Sequence, residues 1–142
     1  MRYFSEKERV DKERWVARYP RFLQRLYHGS RTIHDEFDDE LAPLITPETV
    51  LLDVGCGRKG IMERYVGRTR LAVGVDLSLD ALKRNRVLDR LARAEAHRLP
   101  FKDHSFDVIL TQWLVEHLER PDLACAEMAR VLRPGGRMLI VT

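Results

Sequence analysis

Four apolar runs and one alternating run divide the chain between residue 50 and its end. Val50-Leu51-Leu52-Asp53-Val54, Leu71-Ala72-Val73-Gly74-Val75-Asp76, Phe106-Asp107-Val108-Ile109-Leu110-Thr111 and Met138-Leu139-Ile140-Val141 have the length and β-branched content of buried strands. Ala92 to Ala96 is short enough to be another strand. Helical patterns separate them. Gly60 to Val66 reads as a first crossover helix with Ile61, Tyr65 and Val66 toward the sheet, closed by Gly67. Ser78 is placed to cap a second helix whose inner stripe is Leu79, Leu82 and Val87. Pro121 opens a third with Leu123, Ala126 or Glu127, Ala129 or Arg130, and Val131 inside, ended by a turn at Arg133-Pro134-Gly135-Gly136. Strands alternating with helices predict an α/β fold: a Rossmann-like, doubly wound and mainly parallel sheet of about five strands.

Ahead of this core the pattern changes. Residues 1–34 carry nine Lys or Arg against four Asp or Glu, interleaved with Tyr3, Phe4, Trp15, Tyr19, Phe22 and Tyr27. Ser5-Glu6-Lys7-Glu8 has the form of a capping box, so a helix is expected from Glu6 to just before Pro20. A short one follows from Arg21 to His28, and Ile33, Phe37 and Leu41 at four-residue spacing predict a third. Pro43 and Pro47 punctuate the passage into the core, which gives an N-terminal helical cap over 1–47 and a core over 48–142.

Composition narrows the class without naming a function. With 142 residues, 44% of them hydrophobic and 33% charged, the chain fits a single globular domain, and no apolar run approaches a membrane span. The N-terminus turns charged before any signal-peptide core could form, so the expected compartment is the cytoplasm. A net charge of +3 is too mild to call for nucleic acid, and the acids interspersed in the basic arm argue against it. Cys56 and Cys125 are too far apart for a paired-ligand spacing, so neither a disulfide framework nor a metal site is expected.

The candidate chemistry lies where the first strand ends. Val50 to Val54 runs directly into Gly55-Cys56-Gly57-Arg58-Lys59-Gly60, a turn without side-chain bulk in which a ligand can approach bare backbone amides. Asp76 ends the next strand about twenty residues later, where a carboxylate can accept both hydroxyls of a ribose. Strand, glycine turn, helix, strand and acid in this order predict a site for a nucleoside cofactor. Cys56 reads as a small side chain beside the ligand, since no base can be named that would make it a nucleophile.

Four stretches taken together resemble the class I S-adenosylmethionine-dependent methyltransferases, and within them the small-molecule group typified by quinone-biosynthesis enzymes. They are Leu51 to Gly57, Val75-Asp76-Leu77-Ser78, Leu99-Pro100-Phe101 with Ser105 to Ile109, and Ala129 to Gly136. The resemblance implies S-adenosylmethionine as cofactor, S-adenosylhomocysteine as product and a small-molecule methyl acceptor. It implies that Gly55, Cys56 and Gly57 lie against the methionyl part, with Asp53 orienting the loop or meeting the amino group. Asp76 would bind the ribose hydroxyls while Leu77 packs on the adenine. Glu95 would stand near the adenine amino group, the Ala96 amide would donate to the ring, and Gln112 would offer its carbonyl near the methionyl end. His117 is the candidate base, with His34 in the cap a weaker one. Where the family's loop has its third glycine, Lys59 stands here, one residue before Gly60.

The same glycines also fit the dinucleotide fingerprint, which leaves NAD as an alternative cofactor. Asp53 weighs against it: a carboxylate beside the loop suits a sulfonium and an ammonium, and suits a pyrophosphate poorly. A domain that binds the cofactor without catalysis and acts through a partner is the other alternative. The family continues past its fifth strand with a helix and two strands, so the fifth strand is expected to be an edge. Either the chain is a fragment or a second copy covers that edge in a homodimer.

Overall fold

The computed structural model describes residues 33–142, which form one compact unit. The two helices expected between Glu6 and His28 lie outside the described residues. Five parallel strands make the sheet: β1 (Val50–Val54), β2 (Leu71–Asp76), β3 (Arg90–Arg93), β4 (Phe106–Gln112) and β5 (Leu132–Val141), in the spatial order β3-β2-β1-β4-β5. The order reverses at β1, so the next strand to its left is β2 and to its right β4. That reversal opens a crevice at the carboxyl ends of the strands, where open α/β sheets bind ligands.

Alternation along the strands builds two cores. Val50, Leu52 and Val54 of β1 join Val73, Val75 and Ile109 on one face, against Ala124, Met128 and Val131 of α3 (Pro121–Val131). Leu51 joins Ala72, Val108 and Leu110 on the other, against Phe37 and Leu41 of α1 (Ile33–Leu41) and Met62 and Tyr65 of the short 3-10 helix Ile61–Tyr65. Every residue of β1 is buried, as a central strand covered on both faces requires. Asp53, two positions from Leu51, shares the α1 face by the period of two.

Local sequence explains the helices. Pro121 at the first position opens α3, and Ala124, Met128 and Val131 repeat at helical spacing. The short α2 (Leu79–Arg84) begins as expected, with the Ser78 hydroxyl accepting from the Ala81 N–H at 3.2 Å.

Several expected details are corrected. The first crossover is a 3-10 helix, with Met62 inside and Val66 exposed. Leu79 and Leu123 also face outward, because the stripes of α2 and α3 are Leu82 and Ala124-Met128-Val131. The third strand ends at Arg93, so Glu95 and Ala96 sit in the loop beyond it, joined to Arg98 by an isolated bridge from Glu95. Gln112 is the last residue of β4 instead of the first beyond it. Finally, Arg133 to Gly136 is no free turn but an irregularity inside β5: Phe106 pairs with Leu132 while Val108 pairs with Arg137. Gly135 takes φ of +80° there, and a Cβ on Gly136 would stand 2.8 Å from the Asp107 carbonyl oxygen.

Candidate functional site

Four strands end on one rim, and each delivers part of the site. After β1 the chain turns through Gly55 (φ +77°) and Gly57 (φ +57°), conformations that a side chain would strain. The turn is stitched to the end of β2. Gly55 and Cys56 donate their N–H groups to the Val75 carbonyl at 2.8 and 3.0 Å, and Gly57 donates to Asp76 Oδ2 at 2.9 Å. Asp76 Oδ1 accepts from the Ser78 N–H at 2.7 Å. Each carboxylate oxygen of Asp76 thus holds one amide and keeps a second lone pair for a ligand.

Two residues that sequence reasoning passed over hold this frame. Asn85 is buried, gives its side-chain N–H to the Gly57 carbonyl at 3.1 Å, and accepts from Val87 and Leu88 at 2.9 and 3.2 Å. Gly74, paired with Asp53 across the sheet, leaves the space that the Cys56 thiol and Leu88 occupy; a Cβ there would come within 2.7 Å of Cys56 Sγ and 2.4 Å of Leu88 Cδ1. The Cys56 thiol is pushed up, by burial first and then by Asp53 and Asp76, so it stays protonated and serves as packing.

A cavity of about 440 Å³ opens on the rim, lined by Val54, Gly55, Val75, Asp76, Leu77, Ala94, Glu95, Ala96, His97, Leu114, His117, Leu118 and Glu119. Its size is that of a small-molecule site. Of the ten candidates read from sequence, Gly55, Asp76, Leu77, Glu95, Ala96 and His117 share this lining, whereas Asp53, Cys56, Gly57 and Gln112 do not. Leu77 is 55% exposed, an apolar surface open to a flat ligand. Leu114 leans over the glycine turn, so a Cβ on Gly55 would meet its Cδ2 at 3.1 Å.

His97 lines the same cavity, and its Nε2 is buried without a hydrogen-bond partner. Nothing in the apolar periodicity marks His97 or Leu114; only their places just after β3 and β4 do. His117 is exposed at the end of the 3-10 turn Val115–His117, with Nε2 4.0 Å from Glu116 Oε1. His34 packs edge-on against Trp113, ring centres 5.9 Å apart, and is not among the cavity residues.

Behind the turn lies a second polar spot. Asp53 is the only buried carboxylate among the described residues, and burial followed by Asp76 pushes its acid up to about 7. A Cβ built on Gly60 would sit 3.9 Å from Asp53 Oδ2 and 3.7 Å from Gln112 Oε1, so two acceptor oxygens converge over that glycine.

Residues 52–140, more than half of the chain, match the family described as Methyltransferase domain. The chain belongs to that family. This methyltransferase domain is 32% identical over 138 residues to the ubiquinone/menaquinone biosynthesis C-methyltransferase UbiE of Pseudomonas putida, an alignment that takes in 89% of this chain and 54% of that one. It therefore spans about half the length of the curated relatives it matches. Among solved structures it superposes on the YcgJ protein of Bacillus subtilis with a TM-score of 0.68 and 25% identity, over 75% of this chain and 50% of that one. The phosphoethanolamine N-methyltransferase 1 of Haemonchus contortus, solved with phosphoethanolamine and S-adenosylhomocysteine, shares the fold at a TM-score of 0.63 and 20% identity, over 73% and 24% of the two chains. The Rossmann-like α/β architecture is that of this family. No helix among the described residues is long and apolar enough to cross a membrane.

Proposed function

We propose that the domain binds S-adenosylmethionine and transfers its methyl group to a small-molecule acceptor. The observation that carries this reading is the pairing of Asp76 with the glycine turn: a carboxylate fixed by the Gly57 and Ser78 amides, with lone pairs left over, at the mouth of a cavity of nucleoside size. The residues present fit the cofactor. Asp76 would accept the ribose hydroxyls, Leu77 would cover the adenine, and Glu95 with the Ala96 amide would meet the adenine edge. Gly55 and Gly57 allow close approach to the methionyl chain, and Asp53 with Gln112 offers oxygens to its ammonium. A pyrophosphate would find the acid of Asp53 and the Gln112 oxygen beside the glycine turn where it needs donors, which disfavours NAD.

When bound, the cofactor supplies a methyl group on a sulfonium, activated for in-line displacement. The residues of this chain then have mainly to position. Holding acceptor and methyl about 3 to 3.5 Å apart and in line supplies much of the acceleration. Leu114 and Leu118 give the cavity apolar walls. A base is needed only where the acceptor must lose a proton; His117, on the cavity wall, would take it. The relative's name, a C-methyltransferase of ubiquinone and menaquinone biosynthesis, supports a small quinone-type acceptor methylated at carbon. β5 is a sheet edge among the described residues with Ile140 exposed, and we propose that a second copy covers it.

Calorimetry with S-adenosylhomocysteine and with NAD on the same protein tests the cofactor: the first should bind and the second should not. Methyl release over a panel of quinols and phenols separates enzyme from binder. A monodisperse monomer in light scattering would remove the dimer.

A further inference from the structure

Asp53 is buried to 5% exposure, and among the described residues no hydrogen bond or ion pair reaches its carboxylate. Among the described residues its surroundings offer no cation. From β2 it faces Asp76; from the glycine turn, the Cys56 thiol; from β4, Leu110 across the sheet and the neutral Gln112 at the strand's end. Of the ionisable groups on the α1 side, Arg64 is paired to Asp38 at 2.7 Å with the Tyr65 hydroxyl on the same carboxylate, Lys59 is paired to Glu63 at 3.0 Å, His34 packs on Trp113, and the other ionisable groups of α1 are all acids. An ionised carboxylate in such a place lacks every partner that would offset its burial. Asp53 Oδ2 and Gln112 Oε1 converge over Gly60, a pair of acceptor oxygens suited to a group with several N–H bonds and a positive charge.

We infer that Asp53 carries a proton while the spot over Gly60 is without a cation, and gives that proton up to solvent when an amino-acid ammonium settles there, so that cofactor binding is coupled to proton release. The inference rests on the cofactor reading above and adds its regulation by pH. The exchange balances: the carboxyl O–H breaks, its proton passes to buffer, and the ligand ammonium donates to the resulting carboxylate. Ligand charge and protein proton are thus alternative occupants of one site.

Two ligands separate the parts. S-adenosylhomocysteine carries the ammonium; 5′-methylthioadenosine fills the ribose and adenine positions without it. Titrations at pH 6, 7 and 8, each in two buffers of different ionisation enthalpy, count the protons released. With an acid at about 7 in the free protein, S-adenosylhomocysteine should release about 0.9, 0.5 and 0.1 proton at the three pH values, and bind about fivefold tighter at pH 7 than at pH 6. Methylthioadenosine should release none and show a flat profile, which controls for His97 and His117 in the cavity wall. Asp53→Asn should abolish the release on S-adenosylhomocysteine binding. Release that persists in Asp53→Asn, or equal release by both ligands, overturns the coupling while leaving the cofactor reading intact. Failure of both nucleosides to bind the wild-type protein overturns the two together.

Discussion

At the scale of single residues, the site depends on a few positions where one atom more or less decides the outcome. Asp76 holds two turn amides at 2.7 and 2.9 Å, and its loss leaves both N–H groups without their charged acceptor. Asp76→Ala should weaken S-adenosylhomocysteine binding by at least about thirtyfold, equivalent to about 2 kcal/mol, as read by calorimetry. Gly74 acts through what it omits. Gly74→Ala drives a methyl into Cys56 Sγ and Leu88 Cδ1, and should lower stability by about 1–3 kcal/mol in urea unfolding. Asp76 was legible in the sequence because an acid ending an apolar run at a set distance from a glycine turn is a pattern. Gly74 was not, since its reason is the thiol of a neighbouring strand's turn, which no linear spacing displays. Asn85 escaped for the same reason: it stands outside any motif and meets Gly57 only through the fold.

At the scale of elements, strands declared themselves and connections did not. β1, β2 and β4 are continuous apolar runs and fall within a residue of their expected bounds, because burial on both faces leaves no choice of residue type. The edge strand β3, with its sequence Arg-Leu-Ala-Arg largely exposed, carries no such demand, and its expected position slipped by two to three residues. The bulge in β5 was read as a turn because Pro-Gly-Gly permits both; only pairing with β4 distinguishes them.

The loop between β3 and β4 is fastened by α3. Arg130 donates to both oxygens of Glu127 at 2.8 Å and to the Phe101 and Leu99 carbonyls at 2.8 and 3.1 Å, while Glu127 accepts from the Leu99 N–H at 2.9 Å. The guanidinium, with that N–H, outweighs burial and holds the Glu127 acid down at about 2. Since the acid is lower in the folded chain than its ordinary 4.5, this clamp stabilises the fold above about pH 4.5 and ceases to as pH falls toward 2. Glu127→Gln should cost roughly 1–2 kcal/mol at pH 7 and only a small part of that by pH 2, seen as convergence of the two urea midpoints on acidification.

Across the whole of the described unit, the parallel sheet puts structural charge at one end and the carboxylates of the candidate site at the other. At the amino ends of β1 and β4, Asp107 accepts from the Val50 N–H at 2.9 Å and pairs with Arg133, tying β1, β4 and the bulge of β5 together. At the carboxyl ends, burial and then the nearby charge of Asp76 disfavour ionisation of Asp53. Because the raised acid of Asp53 favours the fold below about pH 4 and loses that effect as pH rises through about 7, its replacement by Asn should stabilise the ligand-free protein at pH 8 and do little at pH 4. Asp107→Ala should behave in the contrary way, costing about 1–2 kcal/mol because it leaves the Val50 N–H and the half-exposed Arg133 without their acceptor, yet leaving S-adenosylhomocysteine affinity unchanged well below the melting temperature. Melting curves paired with calorimetry on both variants check the separation. A change of ligand affinity in Asp107→Ala equal to its loss of stability would mean that the two ends of the sheet are one cooperative unit with the site, and that the rim is not built independently of its foundation.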